Sequence, residues 1–248
     1  MEVHAHSHTE RKRWHHYLWE FFMLFLAVTL GFFVENQREH ITEHQREKEY
    51  MASMIEDIQL DTTDLHRNIL FRTIVEKRID SIFEMLRQPN RENFTADIYF
   101  LTRRTTRTND LYYHDRTIQQ LKNAGGLRLI RNKEVSNSII LYDGRVRLLQ
   151  NQYQVESDIR QNIRNMIGKI LDVFVVHDME HYEGDSLIMQ KPANNPALFS
   201  NDPALINELL HNEQYLKSVY IVTRSLEKKL IASGTQLMSL IRDKYNIH

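Results

Sequence analysis

Two copies of one spelling come closest to reactive chemistry. His177-Asp178-Met179-Glu180-His181 and His40-Ile41-Thr42-Glu43-His44 both read His-x-x-Glu-His. Histidines four apart share a face if the stretch is helical. Two imidazoles with a neighbouring carboxylate are the ligand and base set of a zinc hydrolase of the inverted type. That chemistry also needs a third protein ligand and a shaped pocket, and neither stretch supplies the context. With 13 histidines among many glutamates, chance matches are expected. Both pairs are read as incidental.

Other chemistry-bearing residues give similar results. His4, His6 and His8 alternate, and His15 and His16 follow. A tail without a supporting second shell rarely fixes a metal, so it is read as solvated. Arg103, Arg104 and Arg107 form a basic patch suited to phosphate or an acidic partner. A solvated face, or ion pairs with Glu-rich helices, explains the patch more simply. Tyr112-Tyr113 and Phe94, Tyr99 and Phe100 are read as packing rather than a binding cage. There is no phosphate-cradling glycine loop, nucleophile elbow or paired-carboxylate cleft. The absence of cysteine excludes disulfides, thiolate zinc sites and cysteine nucleophiles. A net charge of -1 gives no global pull toward nucleic acid. The expectation is a protein that is not an enzyme, with no catalytic residue, no cofactor, no metal and no nucleic-acid partner.

The elements that would position these residues begin with Trp14–Val34, WHHYLWEFFMLFLAVTLGFFV. Between Phe21 and Val34 there is no charge, and Thr29 and Gly31 are the only residues that are not strongly apolar. A bilayer core calls for about 20 apolar residues, and Trp14, Tyr17, Leu18 and Trp19 extend the run at the headgroup level. The sequence after Val34 lacks a small-x-small cleavage site, which argues for an uncleaved transmembrane anchor rather than a signal peptide. Arg11, Lys12 and Arg13 lie directly upstream, so residues 1–13 are expected as a cytoplasmic tail, with 14–34 as the span. Residues 35–248 would then form the extracytoplasmic, periplasmic domain of a single-pass inner-membrane protein. That tail is too short for a signalling output domain. Glu20 lies within the stretch, where a carboxylate is costly and is a candidate for a proton-linked role. A hydrated place one turn inside Trp14 and Tyr17 accounts for it more simply, and an unchanged Glu20→Gln variant would dismiss the role.

Seven glycines and four prolines leave little punctuation, so the remainder is expected to be all-α. Glu35–Gln88 contains neither residue, and Met51, Ile55, Ile58, Leu65, Ile69, Val75, Ile79, Ile82 and Leu86 recur at helical spacing up to Pro89. Asn93–Thr106 and His114–Ala124 are expected as two shorter helices, the second stopped by Gly125-Gly126. Asn132–Asp178 reads as one long helix in which Gly144 and Gly168 mark close contacts. Met179–Asp202 reads as an irregular loop. Asp202-Pro203 opens a last helix, with Asp as N-cap and Pro at the first position. These lengths predict an antiparallel up-down-up-down bundle with one arm broken in two.

The stretches MEVHAHSH, RKRWHHYLWEF and FMLFLAVTLGFFVENQREH resemble a Bacteroidota family of single-span, helical envelope proteins of unknown function. HDRTIQQLKNAGGLRLIRNKEVSNSIILYD resembles a segment recurring in the same proteins. The resemblance covers the span and the middle third, and the C-terminal half poorly. It implies the architecture and an envelope location, and no activity. The expected function is protein–protein contact or assembly in the envelope, with the bilayer, a second copy or other envelope proteins as partners. The rivals are a sensor-like module holding a small ligand between its helices and a proton-coupled accessory subunit using Glu20. Polar groups converging inside the bundle would favour the sensor, and an apolar stripe outside would favour assembly.

Overall fold

The computed structural model describes residues 14–123 and 125–247. His4, His6, His8 and the Arg11–Arg13 cluster therefore lie outside the described residues. The chain divides into two compact units, Met1–Tyr50 and Met51–His248. Its helices are α1 (Trp14–Arg87), α2 (Thr95–Thr105), α3 (Arg116–Asn123), α4 (Lys133–Ile170), α5 (Val173–Met179) and α6 (Pro203–Tyr245). One two-stranded hairpin, β1 (Glu180–Glu183) with β2 (Ser186–Met189), accompanies them.

In the first unit, every residue of the helical stretch 14–34 is exposed. This makes α1 the one helix among the described residues that is long and apolar enough to cross a membrane, judged by length and composition. Its polar groups are handled locally. The Thr29 hydroxyl donates to the Phe25 carbonyl at 2.8 Å, so it carries no unmet donor into an apolar surround. Trp19 stacks on Phe22 and Phe21 on Phe25, with centroids 6.3 and 6.4 Å apart.

The second unit is a packed helical domain. Met51, Ile55, Ile58, Leu65, Val75, Ile79, Ile82 and Leu86 are buried along one face of α1, as their spacing predicts, whereas Ile69 is half-buried. One cluster unites Val75, Ile79 and Ile82 with Ile159, Ile163 and Ile170 of α4, Ile98 and Tyr99 of α2, and Leu209, Leu216 and Tyr220 of α6. Each such side chain removed from water contributes about 1.5–3 kcal/mol. Gly234 of α6 lets three helices meet closely. A Cβ there would lie 2.9 Å from Ile58 Cγ2 and 3.1 Å from the Tyr142 ring.

The helix starts follow local chemistry. Asn132 Oδ1 accepts from the backbone amides of Glu134 and Val135 at 3.0 and 3.1 Å. Asp202 Oδ1 accepts from Ala204 N at 2.8 Å, with Pro203 at the first helical position. α1 stops at Arg87, two residues before Pro89.

Four expectations need correction. The helix expected over 132–178 breaks at Leu171, whose backbone is extended, and Asp172 then caps a separate helix by accepting from Phe174 N at 2.8 Å. A capping Asp followed by the β-branched Val173, Val175 and Val176 explains the break. The stretch 179–202 is not wholly irregular, because 180–189 forms the hairpin. Gly184 holds φ 58° in its two-residue turn, a setting glycine adopts without strain. Gly144 and Gly168 mark no close contact, since nothing lies within 4 Å of a Cβ built at either. The shorter helices are also trimmed: a 3-10 turn over Arg91–Phe94 precedes α2, and residues 107–115 are non-helical.

Candidate functional site

The densest polar arrangement lies inside the second unit, where α1, α4 and α6 each present charged residues at inward positions. Arg72 of α1 is 2% exposed and donates a two-pronged fork to Glu156 of α4: Nε to Oε1 and Nη2 to Oε2, both 2.9 Å. Its Nη1 donates to Glu227 Oε1 of α6 at 2.7 Å. The Tyr153 ring lies over the same guanidinium, 4.4 Å from centroid to Cζ. The Tyr153 hydroxyl donates to Glu227 at 2.5 Å and accepts from Asn68 at 3.1 Å. Arg160 donates to Glu156 at 3.1 Å.

Burial disfavours the Arg72 charge, but the Glu156 carboxylate outweighs it and holds the guanidinium above its usual value. Burial raises the Glu227 carboxyl above the ordinary carboxylate range, against the pull of Arg72. Two charges of each sign thus share one buried layer, and the Arg72 fork is filled by protein. This layer locks the register of three helices, because removing any one member strands the others in a low-dielectric interior.

Glu213 of α6 is a different case. It is 0% exposed, accepts from Thr105 Oγ1 at 2.6 Å, and its Oε2 has no partner. Burial pushes this carboxyl up to about 8, so it carries a proton at neutral pH.

A second group of carboxylates ties α3 to the bundle. Asp57 accepts from Thr117 N at 2.9 Å and from Thr117 Oγ1 at 2.5 Å, capping the start of α3 from another helix. Asp61 accepts from His114 N at 2.9 Å and from Tyr142 Oη at 2.9 Å, and lies 3.0 Å from His114 Nδ1. Burial raises the Asp61 carboxyl even though His114 opposes the shift. Asp143 takes Lys122 Nζ at 2.7 Å and Arg147 at 2.9 Å.

The residues singled out in the sequence fall elsewhere. His177 ends up in α5, while Glu180 and His181 belong to β1, so the expected shared helical face does not exist. Glu180 is taken by Arg103, and His181 Nε2 lies 3.3 Å from Gln190 Nε2. His40 and His44 do share a face of α1, and His44 Nδ1 lies 3.5 Å from Glu47. No group of three or more His, Cys, Asp or Glu able to hold a metal occurs among the described residues. Glu20 lies 3.3 Å from His16 Nε2, one turn toward the N-terminus. Tyr99 is fully buried, its hydroxyl donating to Ala197 O and accepting from Asp172 N, both at 2.9 Å. Phe94 and Phe100 pack against the same core cluster. Tyr112, read as packing, is instead 72% exposed.

Sequence reasoning missed Asn68, Arg72, Glu156, Glu213 and Glu227. Their signal was present: each is a polar residue standing where the core spacing calls for an apolar one, as Asn68 and Arg72 do between Leu65 and Val75.

No protein-family model matches the chain, and no curated protein or solved structure matches it. The Bacteroidota resemblance therefore rests on the quoted stretches alone. What stands independently of it is an all-α packed domain and one long N-terminal helix apolar enough to span a membrane.

Proposed function

We propose that the protein is a non-enzymatic, single-span envelope protein whose helical domain assembles with a second copy of itself. One observation carries this reading. Leu141, Leu148 and Val155 recur every seven residues on α4 and are 55%, 54% and 39% exposed. A step of seven returns to nearly the same face, drifting by about 20°. Leu141 also lines the outer groove between α4 and α6 with Leu237 and Leu240. A row of period seven is self-complementary: packed in register on its own copy, each residue meets its equivalent across a twofold. The open space above Gly144, within the row, admits a close helix approach.

In this reading the bundle is up-down-up-down, formed by α1, the α2–α3 arm, α4 and α6. The order of the paired residues supports it. Along α1 from Ile58 through Arg72 to Asp80, the α6 partners descend from Gly234 through Glu227 to Lys217. The α4 partners climb from Tyr142 to Glu156, and the α2–α3 partners descend from Thr117 to Arg104. The Arg11–Arg13 cluster supports an inner-membrane protein with its N-terminus inside and its helical domain periplasmic. The rival ligand-sensing reading draws on the polar layer around Arg72, but that layer is already filled by Glu156 and Glu227.

The test is the mass of the full chain purified in mild detergent, by light scattering corrected for bound detergent. Wild type is expected at twice the chain mass, and Leu148→Glu at the single-chain mass with unchanged helicity. A wild-type monomer that carries no other chain contradicts the proposal.

A further inference from the structure

A second feature lies where the end of α2, the segment after it, α4 and β2 come together. A cleft of about 370 Å³ is lined by Arg103, Thr106, Arg107, Thr108, Arg164, Leu187 and Met189. Its cations outnumber the anions that could neutralise them. Arg103 donates to Glu180, the one carboxylate that Arg103, Arg107 or Arg164 pairs with among the described residues. Arg164 spends one nitrogen on the Thr106 carbonyl at 2.7 Å and another on Gln161 at 3.4 Å. Arg107 is exposed and has no hydrogen-bond or ion-pair partner among the described residues.

Two further guanidiniums stand behind these. Arg78 donates to the Arg104 carbonyl at 3.5 Å, and Arg104 lies 4.9 Å over the Phe100 ring. Burial, with the charges of Arg104 and Arg107 added to it, holds Arg78 below its ordinary value. The Nε atoms of Arg103 and Arg104 are buried without an acceptor. Like charges held together raise the energy of the folded state unless an anion joins them. Planar guanidinium forks fit the oxygens of a phosphoryl group, and such charge-assisted bonds are about twice as strong as neutral ones. Leu187 and Met189 add an apolar wall beside the cations.

We propose that this cleft binds a phosphorylated small organic molecule, its phosphoryl group held by Arg103, Arg107 and Arg164 and its apolar part laid against Leu187 and Met189. The site is independent of the α4 stripe and of the oligomeric state. It gives the domain a ligand without using the filled layer around Arg72.

The probe is phenyl phosphate, titrated calorimetrically into the full chain in neutral detergent, with phenol and inorganic phosphate as comparisons. Phenyl phosphate is expected to bind in the millimolar range or tighter and more tightly than inorganic phosphate, while phenol does not bind. Arg107→Glu is expected to weaken binding by about tenfold or more, the worth of a charge-assisted hydrogen bond. Because Arg107 is exposed and unpartnered, this variant loses no native contact and melts no lower than wild type, and Arg107→Lys retains part of the affinity. Absence of binding overturns the proposal, as does an Arg107→Glu variant that binds phenyl phosphate as wild type does. A lipid headgroup would offer the same phosphoryl chemistry. Nanodiscs of phosphatidylcholine should therefore leave phenyl phosphate binding intact, and so should nanodiscs containing phosphatidylglycerol. Loss of binding only in the latter would assign the cleft to the headgroup and overturn the small-molecule reading.

Discussion

The two parts of α1 solve opposite problems with one secondary structure. Over 21–34 the helix is apolar around its whole circumference and exposed throughout. Over 51–87 it is apolar on one face, and that face is interrupted by the buried Asp57, Asp61, Asn68 and Arg72. A helix apolar all round is satisfied by hydrocarbon, because its backbone groups bond within the helix. A helix carrying inward charges is satisfied only where other helices bring matching charges to it. Hydrophobicity alone therefore places the first part, whereas the second part requires specific partners.

The sharpest way to break this contrast is to remove the partner. Arg72→Ala leaves Glu227 buried without the cation it pairs with, and Glu156 with Arg160 alone. It is expected to destabilise the helical domain by about 3–5 kcal/mol, read by urea unfolding followed by circular dichroism. Replacing Arg72, Glu156, Arg160 and Glu227 together by Met, Leu, Leu and Leu should recover most of that loss, since an apolar layer needs no pairing. If the single variant unfolds as wild type does, the polar layer does not hold the helices in register.

Glu213 sharpens the same point through pH. The unfolded chain releases this proton near 4.5, the folded chain near 8. In that window the folded state binds the extra proton, so its stability falls as pH rises through it and is unaffected below it. Glu213→Gln removes this slope. The variant should gain on wild type by on the order of 5 kcal/mol at pH 9, an advantage that disappears at pH 4. Parallel pH dependences for variant and wild type would contradict the assignment.

The smallest effects come from the glycines. Gly234→Ala forces a methyl against Ile58 and Tyr142 and should cost about 1–3 kcal/mol. Gly144→Ala meets open space within its own chain and, in the monomeric Leu148→Glu background, should stabilise by about 0.5–1 kcal/mol. Thermal melts of the two variants would read opposite signs.

The features legible in the sequence were those set by near neighbours. Asn132, Asp202-Pro203 and Pro89 announce helix boundaries because capping and backbone restriction act within a few residues. The apolar stripe from Met51 to Leu86 is legible because helical spacing is local. The polar layer was not, because Arg72 meets partners 84 and 155 residues away. A buried arginine at core spacing looks like a gap until both carboxylates are in place. The break at Leu171 was missed because Asp172 reads as one polar residue in a long helix, and only its cap to Phe174 shows the restart. The hairpin was missed because four-residue strands carry too little alternation to stand out. The arginine patch was seen but read as a solvated face, since Arg164 and β2 join it only in the folded chain.

Alkaline carbonate extraction of membranes containing the full chain tests the central claim most directly. The account predicts that the wild-type protein stays in the pellet and is released only by detergent. It also predicts that Leu26→Arg, which adds about 2.5–3.5 kcal/mol to insertion, shifts a large share into the supernatant. Wild-type protein recovered in the aqueous fraction without detergent would contradict the claim that Trp14–Val34 spans a bilayer.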